Sequence, residues 1–145
     1  MAGSESVVIR SGLFRYPVPE GEQPALLACR CRGCGRIFFP AREICPDCFD
    51  AGALEETAIR GHGVVHASTV VHIPAPVGIP APYAYGYVDM AEAPVRLFAL
   101  FTGAEPAWFT PGREVELVIG PVRVDGQGRE VIGFLFRPAA ERRER

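Results

Sequence analysis

The chain contains no lysine: all fifteen of its positive charges are arginine. That absence excludes Schiff-base catalysis and removes the lysine that a phosphate-cradling P-loop requires. Long apolar runs are missing as well, since none approaches the ~20 residues that span a bilayer. The opening stretch, MAGSESVVIRSG, lacks the basic start and apolar centre of a secretory leader. Neither sign of charge dominates, with fifteen arginines against seventeen acids and a formal net charge of −2. These absences together predict a soluble, cytoplasmic protein. In a reducing compartment, closely spaced cysteines favour a metal over disulfides.

What is present suits a small globular chain. The 145 residues are 48% hydrophobic and 22% charged, with 16 glycines and 14 prolines, enough for one compact domain or a small module joined to a modest one. Residues 1–25, carrying Pro17, Pro19 and Pro24, read as an extended N-terminal arm with little structure of its own. Residues 26–57 hold the cysteines and end in AGALEETAIR, a connection in which one turn of helix is possible. Residues 58–138 change to a period of two, and residues 139–145 form a charged tail.

Within residues 58–138, five segments read as strands: HGVVHASTVVHI, PYAYGYVDM, VRLFALFTG, REVELVIGPVRV and REVIGFLFRP. The fourth alternates most clearly, with Val115, Leu117 and Ile119 directed inward and Glu114 and Glu116 outward. Five strands joined by short turns predict a mainly β chain whose larger part is a five-stranded OB-fold barrel.

All five cysteines fall between residues 29 and 48. Cys31 and Cys34 form one CxxC knuckle, and Cys45 and Cys48 form another. Each knuckle turns two thiolates toward one point, so the pair completes a tetrahedron around Zn²⁺. Gly35 and Pro46 suit such turns. The site is closed, leaving no coordination position for water or substrate, and it reads as a structural zinc that contributes folding free energy to a module too small to bury a sufficient core. Cys29 is left over and reads as a partly buried thiol.

The pattern CxxCGxxxFPxRxxCPxC, present as Cys31, Cys34, Gly35, Phe39, Pro40, Arg42, Cys45, Pro46 and Cys48, resembles a family of bacterial and archaeal proteins with a rubredoxin-like zinc ribbon followed by an OB-fold. TVVH (Thr69 to His72), PYAYGYVDM and PGREVELVI extend the resemblance. It implies an accessory subunit that docks on a thiolase-fold catalytic subunit and helps build its coenzyme A thioester site, in a heterotetramer of two plus two. The GLFRYPVPEGEQP lead-in looks most like accessory subunits of degradative thiolases, such as the one cleaving benzoylsuccinyl-CoA in anaerobic toluene breakdown. Many relatives carry an aromatic helical segment before the ribbon, where this chain has its proline-rich arm.

Thiolase chemistry requires a nucleophilic cysteine, a second cysteine as acid/base and histidines. Here four cysteines are committed to metal, so the chain is not expected to catalyse alone. His62, His66 and His72 share one strand region, and His66 and His72 read as ordinary strand residues. The candidates for partner or CoA contact are Arg36, Phe39 and Arg42 beside the metal, and Ile73, Val77, Ile79 and Tyr83 in or beside the proline-stiffened loop VHIPAPVGIPAPY. The arginines could grip CoA phosphates as bidentate donors or balance the zinc-thiolate charge. Phe38 and Phe39 could equally pack ribbon onto barrel. The tyrosines at 83, 85 and 87 could stack bases, though barrel packing is the preferred use.

Two other functions compete. Zinc ribbons and OB-folds often bind single-stranded nucleic acid, which needs a basic groove. The barrel region has six arginines against seven acids, and the segment before it six against eight, so charge opposes that reading. A stand-alone acyl-CoA enzyme is the third possibility.

Overall fold

The structure, a computed structural model, describes residues 6–50 and 52–139. The charged tail lies outside these residues beyond Ala139. Nine strands run in chain order: β1 (Ser6–Val8), β2 (Leu26–Cys31), β3 (Ile37–Phe38), β4 (Leu54–Ile59), β5 (His62–Val71), β6 (Tyr83–Met90), β7 (Arg96–Phe101), β8 (Glu114–Val124) and β9 (Glu130–Pro138). A single 3-10 turn, Pro106–Trp108, interrupts them. Among the described residues, no helix is long and apolar enough to cross a membrane.

Strands β5 to β9 close into a barrel. The hydrogen-bonded circuit runs β5-β6-β7-β9-β8 and returns to β5. Every pair in it is antiparallel except β7 with β9, where Leu100 and Phe101 lie parallel to Leu135 and Phe136. That order, first-second-third-fifth-fourth, is an OB-fold barrel, in agreement with the strands read from the sequence. Val115 and Leu117 point into the core and Ile119 packs against it, as their alternation predicts.

On β6 the inward residues are Ala84, Gly86 and Val88, and the tyrosines face out. The tyrosines pack on the outer face of the barrel, against one another and Phe98. The core already holds the rings of Phe101, Phe109 and Phe136, and small side chains on β6 pack beside them. A β carbon at Gly86 would lie 2.0 Å from the carbonyl oxygen of Ala67. The position tolerates only hydrogen because β5 bulges between Val65 and Ala67 and presses its backbone onto β6.

The ribbon is a three-stranded sheet, ordered β3-β2-β4. AGALEETAIR forms no helix: Leu54–Ile59 pairs in full with Leu26–Cys31. The boundary expected between residues 57 and 58 falls inside β4, and the chain turns into the barrel only at Gly61, whose φ is 91°. Ribbon and barrel share one core. Leu26, Ala28 and Ile59 belong to the same buried cluster as Val65, Val88, Val115 and Phe136. Each fully buried Leu, Ile, Val or Phe among them contributes about 1.5–3 kcal/mol.

The N-terminal arm is also docked. β1 runs parallel to β9, Ser6 to Val8 beside Glu130 to Ile132, on the stretch of β9 beyond its pairing with β7. Phe14 is buried and bridges to Leu26. An arm with little structure of its own is therefore replaced by one that covers a sheet edge.

Candidate functional site

The four predicted ligands converge at one end of the ribbon. Their sulfurs lie within 4.8 Å of one another, with Cys31 Sγ 3.5 Å from Cys48 Sγ and Cys34 Sγ 3.7 Å from Cys45 Sγ. A tetrahedron of thiolates around zinc at about 2.3 Å requires sulfur separations of about 3.8 Å, so the quartet fits that ion. Two similar turns position the sulfurs. Gly35 N–H donates to Cys31 O and Phe49 N–H to Cys45 O. Cys31 and Cys45 are buried, while Cys34 and Cys48 lie at the surface.

Four thiols this close cannot all ionise without a cation. Burial pushes the Cys45 thiol up, but hydrogen bonds from the Cys48 and Asp47 backbones and from the neighbouring thiols bring it down to about 7. Cys48 is pushed up to about 12, chiefly by its contact with the Cys31 thiol. One thiolate thus suppresses the next, and a divalent ion removes the conflict. A four-sulfur shell keeps no open position, which makes the centre a structural one.

The remaining candidates separate into two groups. Arg36 pairs with Asp47 across 2.6 Å, and the Arg42 guanidinium lies 6.0 Å from the centre of the Phe38 ring. Both arginines are exposed beside the metal site. Phe39 is turned inward: its ring meets Phe134 edge-on at 5.5 Å and packs against the shared core. Phe38 instead packs on the small cluster of Cys31, Cys45 and Ala53.

The second group lies on the barrel. The loop of residues 72–82 folds into a compact turn, with Ala75 N–H donating to Ile79 O and Gly78 N–H to Ala75 O. Arg123 holds it to the barrel through Val77 O. Ile73 is 72% exposed and Val77 54%, whereas Ile79 and Tyr83 are half-buried. From Tyr83 a ladder of rings crosses the outer face: Tyr83 to Tyr85 at 6.3 Å, Tyr85 to Phe98 at 5.1 Å, and Phe98 to Tyr87 at 5.3 Å. Sequence reasoning passed over Phe98 as a site residue, although it alternates with buried Leu97 and Ala99 and shares the exposed face of β7 with Arg96.

The histidines do not join the cysteines. His62 lies 3.8 Å from Glu116, and His66 lies 3.5 Å from Asp89, which Arg96 holds below its usual carboxylate range by a direct hydrogen bond. His72 is exposed just beyond β5. Cys29, the thiol outside the quartet, accepts from the Arg42 backbone within the ribbon.

Comparison with known proteins agrees with this architecture. A family model described as ChsH2, rubredoxin-like zinc ribbon domain, matches residues 20–55. A second, ChsH2, C-terminal OB-fold domain, matches residues 56–120. A DUF35 domain-containing scaffold protein from Methanothermobacter thermautotrophicus is 35% identical over 115 residues, 78% of this chain and 86% of the relative. Benzoylsuccinyl-CoA thiolase subunit BbsA from Thauera aromatica is 34% identical over 118 residues, 81% of this chain and 79% of the relative. Among solved structures, a chain of an Ltp2-ChsH2(DUF35) aldolase superposes with a TM-score of 0.64 and 26% identity, covering 79% of this chain and 85% of that one. With its four-sulfur ribbon leading into an OB barrel, the chain belongs to the ChsH2-type (DUF35) family.

Proposed function

We propose that this chain is a non-catalytic accessory subunit of a heteromeric thiolase acting on an acyl-CoA. One observation carries the reading: the only clustered thiols among the described residues are a quartet that could hold one metal ion in a closed site. The chain's chemistry must then be supplied by a partner. Relatives support the partnership, two of them bearing the name of a benzoylsuccinyl-CoA thiolase subunit and a structural neighbour that of an Ltp2-ChsH2 aldolase. In this reading the catalytic subunit has a thiolase fold, and two copies of each chain assemble in the cytoplasm. The ribbon and the loop of residues 72–82 order the partner's CoA-thioester pocket, so that binding here is felt as turnover there. Arg36 and Arg42 supply the cationic side of that shared site.

The test is reconstitution. Each subunit is assayed alone and mixed, with thiolytic cleavage of an acyl-CoA as readout. The expected result is little activity from either and recovery near one-to-one mixing. Full activity from the catalytic subunit by itself would overturn the proposal.

A second reading rests on the ring ladder from Tyr83 to Tyr87, which occupies the face where OB-folds stack bases. The acidic balance of the barrel opposes it. A salt-dependent gel shift with single-stranded DNA would favour it over the subunit role.

A further inference from the structure

Along one of its edges β9 changes partners, and the change leaves a gap. β8 occupies the opposite edge over the whole strand, from Glu130 to Pro138. On the remaining edge β1 runs beside Glu130 to Ile132, and β7 joins only at Leu135 and Phe136. Gly133 and Phe134 lie between these two pairings. An apolar hollow of about 370 Å³ opens there, walled by Ile9, Leu13, Phe98, Leu100 and Phe134, with Arg10 at its border. Two features hold it open. Residues 9–13 cross it as a strap tied at both ends, with Ile9 N–H donating to Ile132 O at 2.7 Å and Leu27 N–H to Leu13 O at 2.8 Å. Gly133 has no side chain to fill it, and a β carbon there would lie 3.0 Å from Val122 Cγ1 and 3.7 Å from Ile9 Cγ2. Walls fixed in advance lose little freedom when a ligand enters.

The lining decides what fits. Its one polar side chain is Arg10, a permanent cation that has no ion-pair or hydrogen-bond partner among the described residues. No acid lines the hollow, so nothing in its walls neutralises that charge. A cavity of ~150 Å³ takes up benzene, and this one has room for a phenyl ring carrying a short alkyl chain. A protein segment would bring backbone polar groups that apolar walls leave unanswered. A carboxylate on an apolar body brings a single polar group, and a guanidinium meets it with two parallel hydrogen bonds.

We propose that the hollow between strap and barrel binds a small arylalkyl carboxylate, its apolar body against Leu13, Leu100 and Phe134 and its carboxylate on Arg10. The site uses none of the residues assigned to the metal or to the catalytic partner. It therefore holds whether or not the chain serves a thiolase.

The test titrates the purified, zinc-loaded full chain with phenylbutyrate and, as an uncharged control, phenylbutyramide, by calorimetry at low salt. Wild type is expected to bind the acid about fivefold more tightly than the amide. Arg10→Gln should erase that difference and leave amide binding unchanged. Ile9→Trp fills the hollow from an exposed position, and should abolish binding of both probes with its melting temperature at the wild-type value. In methyl-labelled wild type, phenylbutyrate should give nuclear Overhauser contacts to Ile9, Leu13 and Leu100. Contacts elsewhere, or none, would overturn the site even if Ile9→Trp failed to fold. Equal binding of the acid by Arg10→Gln and wild type would overturn it as well. If neither probe bound and Ile9→Trp lost either self-association or a co-purifying protein, the hollow would belong to a second copy or to that protein, and the proposal would fall.

Discussion

The backbone N–H of Arg42 donates to Cys29 Sγ across 3.2 Å. The bond ties the loop between the knuckles to β2, and it gives the fifth cysteine a place in the ribbon outside the metal quartet. Cys29 is buried at 3% exposure, and its sulfur gives the Arg42 N–H an acceptor in a part-buried bond. Replacing Cys29 with alanine removes that acceptor and leaves the ligands intact. The expected outcome is full zinc content with a stability loss of about 1–2 kcal/mol, checked by metal analysis and urea unfolding. Zinc loss in Cys29→Ala would mean that the thiol belongs to the metal site after all.

Cys45 is a buried ligand whose thiol, which burial pushes up, is brought down to about 7 by hydrogen bonds from the Cys48 and Asp47 backbones. Cys45→Ser should bind well under one zinc per chain. Because the ribbon shares its core with the barrel, the damage should extend beyond the metal site, with a fall in Tm of about 10 °C. Thermal melts of wild type with and without a chelator provide the comparison. A variant lacking zinc that melts like wild type would refute the structural role.

Ile73 is exposed on the loop while its neighbour Ile79 is half-buried. A charge at Ile73 therefore probes the surface without disturbing the loop's own packing. Ile73→Asp should weaken the complex with the catalytic subunit by about tenfold or more, while zinc content and Tm stay at wild-type values. Unchanged affinity would remove this loop from the interface.

The β8–β9 turn has its own acid sensitivity. Asp125 accepts from the Arg129 and Gln127 backbones and pairs with the Arg129 side chain. These contacts, the Arg129 backbone bond foremost among those that lower it, hold its carboxyl below the usual 3.8. A folded-state value below the unfolded one gives stability that is fully present above pH 4 and is lost as pH falls through the lowered value. Asp125→Asn should therefore be less stable than wild type at neutral pH, with the gap closing as pH drops below 4. Denaturant unfolding at several pH values checks this. A gap independent of pH would assign the effect to the turn's shape.

The legible parts of this chain were those encoded locally. Two CxxC spacings define the metal quartet because each knuckle is a turn of a few residues, and five alternating segments define the barrel strands. What escaped depends on distant partners. Leu54, Glu55 and Glu56 have side chains that suit a helix, yet β2 beside them imposes a strand. Three residues at the N-terminus carry no strand signal until β9, more than a hundred residues later, offers an edge. Alternation on β6 separated tyrosines from small residues but gave no sign of which set was inside. The buried phenylalanines contributed by other segments decided that.

The shared core has a consequence for how this chain can be divided. Leu26, Ala28 and Ile59 are drawn from ribbon strands yet lie against Val65, Val88 and Phe136 of the barrel. A cut at Gly61 would expose a greasy face on each fragment, leaving neither half able to persist in isolation. Expressed together, the halves would have to find each other before either became soluble. Ribbon and barrel thus fold as one piece, although each has a family description of its own.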